Sequence, residues 1–389
     1  MNGLKLATEA WDHKEYEAID RVIKSNWFTM GPEVEKFEKE FAEYFGCNYA
    51  VMVNSGSSAN LLAISALFYS KKYKLKRGDE VLVPAVSWAT TFTPLQQYGL
   101  KVRFVDIDID TLNMDINKLE AAITSNTKAI FSVNLLGNPV DYKKVLDIAN
   151  KYNLIVLEDN CESMGAKLNG KYAGTFGVMG TFSTFFSHHI STMEGGVIIT
   201  NDKEIKDILV SLRAHGWTRG LSEDSEVYVK DKDPFYESFN FILPGYNVRP
   251  LEIEAAIGQE QLKKLGSLIE VRRNNGHYFQ QIFSKVPYIR IQKQIGESSY
   301  FGFSIVLTDE APFTRNTLVK IFRENKIECR PIVAGNFIKN DVIKYFDFSI
   351  YDTLVNADYI HENGLFIGNH HINIEKELDA VLNLIKNLE

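Results

Sequence analysis

A small, glycine-containing turn at residues 54–59 could bind a phosphate group. The turn reads NSGSSA, follows the β-branched run YAVMV and opens the helical segment LLAISALF. Backbone N–H groups at the start of a helix have no partner within the helix and converge on one point, which suits an anion. The serines could equally provide an ordinary helix N-cap, because the turn is neither a Walker A loop nor a GxGxxG motif.

An acidic pair, Glu158 and Asp159, directly follows the apolar run LIVL at residues 154–157. Open α/β sheets bind ligands at the carboxyl ends of their strands, so these acids lie where a ligand is expected. Burying a bare carboxylate is costly, and the acid therefore needs a cationic partner. The protonated nitrogen of a pyridine ring would serve, and a structural salt bridge is the alternative.

Two adjacent histidines, His188 and His189, lie among hydroxyl side chains in the segment TFSTFFSHHISTMEGG at residues 181–196. Successive side chains of an extended segment point to opposite sides, so at most one of the two is expected to face a ligand. Imidazole titrates near neutral pH and suits proton transfer, although an ordinary surface histidine is the alternative. The sequence has neither a third ligand at the usual spacing nor an HExxH motif, so we expect no metal site.

These three segments need a scaffold that brings strand ends together. Between residues 49 and 200, short apolar runs alternate with longer segments of helical periodicity, which predicts βαβ units and a mainly parallel sheet. Several runs are apolar at successive positions, as expected where helices cover both faces of a sheet. After Pro244 and Gly245, a longer helical segment begins. We predict an α/β fold with a large domain over residues 1–245 and a smaller α+β domain over residues 246–389.

Composition and charge exclude several classes of protein. The 389 residues carry a formal charge of −7, which provides no positive field for a nucleic acid polymer. Cys47, Cys161 and Cys329 form no CxxC pair, so neither a disulfide framework nor a cysteine-built metal site is expected. Neither a signal peptide nor an apolar run of the ~18 residues that a membrane span needs is visible. We expect a cytoplasmic protein with no membrane partner.

Together the motifs resemble those of the DegT/DnrJ/EryC1/StrS sugar aminotransferases, which use pyridoxal phosphate and have the aspartate aminotransferase fold. The resemblance extends over nearly the whole chain and implies that fold here. It is carried by Trp27, Gly31, Pro32, Phe37 and Glu38, and by SGS at 55–57, VDI at 105–107, ED at 158–159, AHG at 214–216 and GYNVR at 245–249.

One departure from the family concerns the residue that binds the cofactor covalently. The family motif FSFxxxK places a lysine where this chain, reading FSTFFSH from Phe182, has His188. No lysine occurs between Lys171 and Lys203, so a small shift of the alignment does not restore it. Histidine here is typical of a small branch that removes the C3 hydroxyl from 4-keto-6-deoxy nucleotide sugars. Some members of that branch hold a [2Fe–2S] cluster with four cysteines, which three scattered cysteines cannot supply.

The resemblance also implies which residues hold the cofactor. Asp159 would pair with the pyridine nitrogen and keep it protonated, and Glu162 would face the 3-oxygen of the ring. Trp88 would stack on the ring, with a core or interface tryptophan as the alternative. The residues expected to bind the cofactor phosphate within one subunit are Gly56, Ser57 and Ser183.

A homodimer with shared sites is implied as well, because Asn247 would reach the phosphate bound in the neighbouring subunit. Arg219, Arg249 and Arg330 are cationic candidates for the diphosphate of the nucleotide sugar, although arginine is equally common in surface and interface ion pairs. His215 is a further candidate for substrate binding.

The implied reaction depends on glutamate, which would convert pyridoxal phosphate to pyridoxamine phosphate. His188 would then act as base and acid while the C3 hydroxyl of the sugar leaves. Two alternatives stay open at this point. One is an aminotransferase that makes an amino sugar, and the other is an inactive homologue that binds the cofactor or a nucleotide sugar.

Overall fold

The computed structural model describes residues 3–388. Its helices are α1 (His13–Ser25), α2 (Pro32–Phe45), α3 (Gly56–Tyr69), α4 (Ala89–Gln97), α5 (Ile116–Leu119), α6 (Tyr142–Tyr152), α7 (Lys203–Arg213), α8 (Pro234–Glu237), α9 (Glu252–Phe283), α10 (Arg315–Glu324), α11 (Val355–Asn363) and α12 (Glu375–Lys386). Its strands are β1 (Tyr49–Val53), β2 (Glu80–Pro84), β3 (Lys101–Val105), β4 (Thr127–Val133), β5 (Ile155–Asp159), β6 (Lys167–Leu168), β7 (Lys171–Tyr172), β8 (Met179–Ser183), β9 (Gly196–Thr200), β10 (Ile289–Arg290), β11 (Gly302–Leu307), β12 (Cys329–Arg330), β13 (Phe348–Ile350) and β14 (Gly364–Gly368).

The described residues form a large sheet of eight strands in the order β1-β9-β8-β5-β4-β2-β3-β13. The strands from β8 to β13 in that order pair in parallel, while β9 runs antiparallel to both of its neighbours. The predicted α/β fold with a mainly parallel sheet is confirmed. Parallel pairing places the carboxyl ends of β4, β5 and β8 at one edge of the sheet.

Helices cover both faces of this sheet, and β1 shows how the sequence achieves it. Val51 and Val53 point into one buried cluster, whereas Ala50 and Met52 point into another that includes Phe41 of α2. Alternate side chains of a strand face opposite sides, so a strand buried on both faces is apolar at successive positions. The run YAVMV therefore serves two cores.

A second sheet has four antiparallel strands in the order β10-β11-β14-β12. Helix α9, with 32 residues and a length of about 48 Å, packs against both the large and the small sheet. Leu265 packs into a core of the large sheet, and Phe279 packs into that of the small sheet. Strand β13, from the C-terminal part of the chain, pairs with β3, so elements from beyond residue 245 contribute to the large sheet as well as to the small one. The domain boundary at 245 stays a prediction.

Among the described residues, no helix combines the length and the apolar character that crossing a bilayer requires.

Candidate active site

A cavity of about 310 Å³ opens at the carboxyl edge of the large sheet. The ends of three parallel strands contribute Val133, Asp159 and Ser183 to its wall. The predicted site residues that line it are Gly56, Ser57, Trp88, Asp159, Glu162, Ser183, His188 and Arg330. Most of these residues lie at or after the ends of strands whose carboxyl ends share this edge of the large sheet, whereas Arg330 comes from β12 of the small sheet.

The turn at residues 54–59 provides both a helix N-cap and free backbone N–H groups that suit a phosphate. Ser55 is the N-cap of α3, and its side chain accepts a hydrogen bond from the N–H of Ser58 at 3.1 Å. Gly56 and Ser57 then form the first turn of α3, whose N–H groups have no acceptor within the helix. A side chain at Gly56 would place its Cβ 2.6 Å from the Cβ of Ser183. Glycine therefore lets the helix start approach β8 and form part of the cavity wall.

Asp159 is a buried carboxylate with hydrogen-bond donors but no basic side chain beside it. It is 5% exposed, and its Oδ2 accepts hydrogen bonds from Thr91 Oγ1 at 2.6 Å and Asn60 Nδ2 at 2.9 Å. The N–H of Cys161 donates to Oδ1 at 3.2 Å. Within residues 3–388, no lysine or arginine nitrogen lies within 4.0 Å of it. A cationic ligand in the cavity would complete this arrangement.

Glu158, the other member of the acidic pair, faces the opposite side of β5. Its carboxylate accepts hydrogen bonds from the N–H groups of Gly174, Phe176 and Gly177, at 2.5–2.6 Å. This side chain therefore anchors the loop before β8 and takes no part in the cavity.

His188 is half-buried, and its ring lines the cavity. Nδ1 lies 2.9 Å from the carbonyl oxygen of Cys161. A carbonyl oxygen can only accept, so we assign the proton of the neutral ring to Nδ1, which leaves the Nε2 lone pair free to take up a proton. Burial lowers the pKa of His188 to about 4, the bond to Cys161 opposes that shift, and the charge of Arg272 adds to it. The imidazole is therefore a neutral base at pH 7.

His189 points into the protein interior. It is 1% exposed, and its Nε2 lies 3.1 Å from the carbonyl oxygen of Ser299. Its Nδ1 has no hydrogen-bond partner within residues 3–388. The structure thus separates the two neighbouring histidines, one in the cavity wall and one behind it.

The remaining predicted cofactor residues lie around the same cavity. Glu162 Oε2 accepts a hydrogen bond from the N–H of Leu136 at 3.1 Å, and burial together with the Asp159 charge raises the pKa of Glu162 to about 7. Trp88, at the N-terminus of α4, is 57% exposed and therefore has a free ring surface at the rim. Arg330 reaches the rim from β12 of the small sheet.

Four predicted residues do not line the cavity of their own subunit. Asn247 pairs with Ala214 in an isolated bridge and accepts a hydrogen bond from Arg249 Nε at 3.0 Å. The guanidinium of Arg219 lies 5.3 Å from the centre of the Trp217 ring. The fourth is His215, at the protein surface in a left-handed conformation, with φ of 63°. The role of Asn247 in a partner subunit's site stays a prediction.

Several contributors to the cavity were missed in the sequence. Asn60 and Thr91, which donate to Asp159, lie near the starts of α3 and α4, the helices that follow β1 and β2. Both are buried polar residues near the start of a helix that follows a strand, and this pattern is the signal that the sequence offers. Phe301 and Phe366 reach the cavity from the C-terminal part of the chain, and their sequence context gives no such signal.

Comparison with known proteins places this geometry in a family. Residues 9–386 match the DegT/DnrJ/EryC1/StrS aminotransferase family. The chain belongs to that family. Among its DegT/DnrJ/EryC1/StrS relatives, GDP-4-keto-6-deoxy-D-mannose 3-dehydratase of Yersinia pseudotuberculosis is 59% identical over 388 residues, which cover 99% of either chain.

Solved structures of the same family superpose closely. A crystal structure of GDP-4-keto-6-deoxymannose 3-dehydratase with the H188N change and bound GDP-perosamine has a TM-score of 0.97 and 55% identity, covering 98% of this chain and 100% of that one. Another, with a trapped PLP–glutamate geminal diamine, has the same TM-score, identity and coverage. These matches confirm the predicted fold of pyridoxal-phosphate-dependent aminotransferases.

Proposed function

We propose that this protein removes the C3 hydroxyl from GDP-4-keto-6-deoxy-D-mannose, with pyridoxal phosphate as cofactor and glutamate as amino donor. The observation that carries the proposal is His188, a neutral imidazole with a free Nε2, in the cavity at the position of the family lysine. The high identity to dehydratases of that name over nearly the whole chain supports the substrate class.

The cavity fits four parts of the cofactor. Asp159 is a buried carboxylate without a basic side chain, which a protonated pyridine nitrogen would satisfy. The start of α3 and the Ser183 hydroxyl suit its phosphate, and the exposed face of Trp88 suits its ring. Glu162, with a pKa of about 7, can donate a proton to the 3-oxygen in its neutral form. When bound, the cofactor supplies an electron sink.

His188 provides proton transfer without covalent capture. Nε2 can accept a proton as a base and later deliver it to the C3 oxygen of the sugar, which leaves as water. An imidazole does not form the lasting bond to the cofactor that a lysine amine forms. Retention of the cofactor therefore depends on the ion pair between Asp159 and the pyridine nitrogen and on phosphate binding by the turn at residues 54–59.

The overall reaction balances without any further oxidant or reductant. The sugar loses one oxygen atom, and glutamate is oxidised to 2-oxoglutarate with release of ammonia. The product would be a 3,6-dideoxy-4-keto sugar, which we assign to the colitose pathway of lipopolysaccharide O-antigens in the cytoplasm.

The proposal includes a homodimer with shared active sites. The segment that contains Asn247 also has strongly exposed aromatic side chains, with Phe235 87% and Phe239 69% exposed. Phe239 and Phe241 also pack against the Trp217 ring, and an exposed aromatic cluster of this kind is typical of a protein–protein interface. A second copy of the chain that covers this surface would bring Asn247 of one subunit towards the turn at residues 54–59 of the other.

A panel of 4-keto-6-deoxy nucleotide sugars tests the substrate. Each sugar, linked to GDP, CDP or dTDP, is incubated with glutamate and pyridoxal phosphate, and product mass, 2-oxoglutarate and ammonia are followed. We expect the GDP sugar of the mannose series to react fastest and to give a product one oxygen atom lighter. Preference for another nucleotide would contradict the substrate assignment, and a stable amino sugar would contradict the reaction.

A further inference from the structure

Arg272 of helix α9 is a buried cation without an acidic partner. It is 5% exposed, and its NH1 donates to the carbonyl oxygens of Asn369 at 2.8 Å and Phe301 at 3.3 Å. Within residues 3–388, no carboxylate oxygen lies within 4.0 Å of its guanidinium, and its Nε has no hydrogen-bond partner. Burying an unpaired charge is expensive, so this placement calls for a reason.

The hydrogen bond to Phe301 leads from Arg272 to the cavity. The Phe301 ring lines the cavity, and its centre lies 5.0 Å from that of the His188 ring. The backbone of Phe301 is held at both ends, because its N–H donates to the carbonyl oxygen of Leu136 at 3.0 Å. Arg272 therefore fixes one side of the residue that packs against the His188 imidazole.

The backbone around Phe301 is strained, which shows that the surrounding contacts determine its path. Tyr300 and Leu136 both adopt the left-handed region, with φ of 45° and 54°. This conformation is uncommon for residues other than glycine and is retained where other contacts enforce it. Leu136 also donates its N–H to Glu162, so the same segment supports two side chains of the cavity.

Electrostatics act in the same direction as the geometry. Burial is the main cause of the low pKa of His188, and the Arg272 charge lowers that pKa further. The titratable and charged groups around the imidazole are Asp159, Cys161, Glu162, His189, Glu194, Arg272 and Arg330. Because none of the acids in this set pairs with Arg272, they do not neutralise its charge locally.

We propose that Arg272 acts as a positioning residue for His188, because it holds the backbone of Phe301 and thereby keeps the Phe301 ring against the imidazole. The inference rests on the proposed function of His188 as a base. It assigns to Arg272 an indirect action, through the Phe301 carbonyl and through its charge, with no contact to substrate or cofactor.

The test follows the titration of the His188 ring by NMR in protein without sugar. Arg272→Gln retains an N–H donor but removes the charge, whereas Arg272→Lys retains the charge. The matched control is Arg273→Gln, because the neighbouring Arg273 pairs with Glu297 at 3.2 Å. His188→Asn identifies the His188 signal by its loss.

We expect His188 of the wild type to titrate near pH 4, and Arg272→Gln to raise that pKa measurably towards the ordinary value of about 6.5. Arg272→Lys should give a smaller shift, and Arg273→Gln should leave the pKa unchanged. An unchanged pKa in folded Arg272→Gln would overturn the proposal. A wild-type pKa at or above 6.5 would overturn it whether or not the variants fold.

The titration needs no turnover, so its outcome is separate from that of the substrate panel. A dehydratase with normal His188 titration in Arg272→Gln would refute the role of Arg272 alone. The predicted shift in a protein that converts no sugar would instead refute the proposed function.

Discussion

His188→Asn removes the proposed base while it preserves much of the local structure. The amide Nδ2 of asparagine can donate to the Cys161 carbonyl, as Nδ1 of the imidazole does at 2.9 Å. An asparagine amide does not take up a proton at neutral pH. The variant thus separates the positioning of this side chain from its proton transfer.

The size of the effect follows from the state of the imidazole. With a pKa of about 4, only about one His188 ring in a thousand is protonated at pH 7, so nearly every wild-type molecule holds the base form. Loss of general acid–base catalysis typically lowers a rate by about 10² to 10⁴, or about 3–5 kcal/mol in the barrier. We expect a loss of turnover in this range.

Single-turnover dehydration of the GDP sugar, with glutamate and saturating pyridoxal phosphate, measures this loss. Cofactor absorbance checks that the variant still binds pyridoxal phosphate. His189→Asn is the matched control, because the neighbouring ring lies behind the cavity and is 1% exposed. It should lower stability but leave the dehydration rate of the folded fraction within a few-fold of the wild type. Dehydration by His188→Asn above about a tenth of the wild-type rate would refute the assignment of the base.

Four further predictions concern pH, Asp159, the dimer and the mode of cofactor binding. If His188 is the base, kcat/KM should fall as the pH drops through about 4, because the base form of the imidazole is lost there. A fall near pH 6.5 that is due to His188 would contradict the low pKa. Thr91→Val removes the 2.6 Å hydrogen bond to Asp159 and should weaken pyridoxal phosphate affinity by up to about 150-fold in an absorbance titration. Thr93→Val is the control and should have little effect, because the Thr93 hydroxyl donates to the Ala89 carbonyl oxygen of the same helix. Asn247→Ala and Asp159→Ala subunits, each impaired alone, should regain some activity when mixed and exchanged, and no recovery would argue against shared sites. Borohydride should leave no pyridoxyl group at position 188, and mass spectrometry of the digested protein checks this.

Much of the scaffold was predictable because its signals are local. Runs such as YAVMV are apolar at successive positions, and this requires burial on both faces of a sheet. The clustering of Gly56, Asp159 and His188 in one cavity follows from the common edge at which parallel strands end. Local pattern and global topology agree at these positions.

The contribution of the C-terminal part of the chain was not predictable in the same way. Phe301 lines the cavity, and its backbone is hydrogen-bonded to Leu136 and Arg272, which are far from it in sequence. Arg272 and Arg273 are neighbours of the same type in one helix, yet one is buried without an acid and the other pairs with Glu297. Tertiary packing alone distinguishes them.

The fate of the glutamate nitrogen tests the central claim most directly. Purified protein is incubated with 15N-labelled glutamate, pyridoxal phosphate and GDP-4-keto-6-deoxy-D-mannose, and the label is followed into ammonia and into the sugar. We expect one labelled ammonia and one 2-oxoglutarate for each sugar that loses its C3 oxygen, with no label in the sugar. Label retained in an amino sugar that keeps its C3 hydroxyl would contradict the proposed reaction.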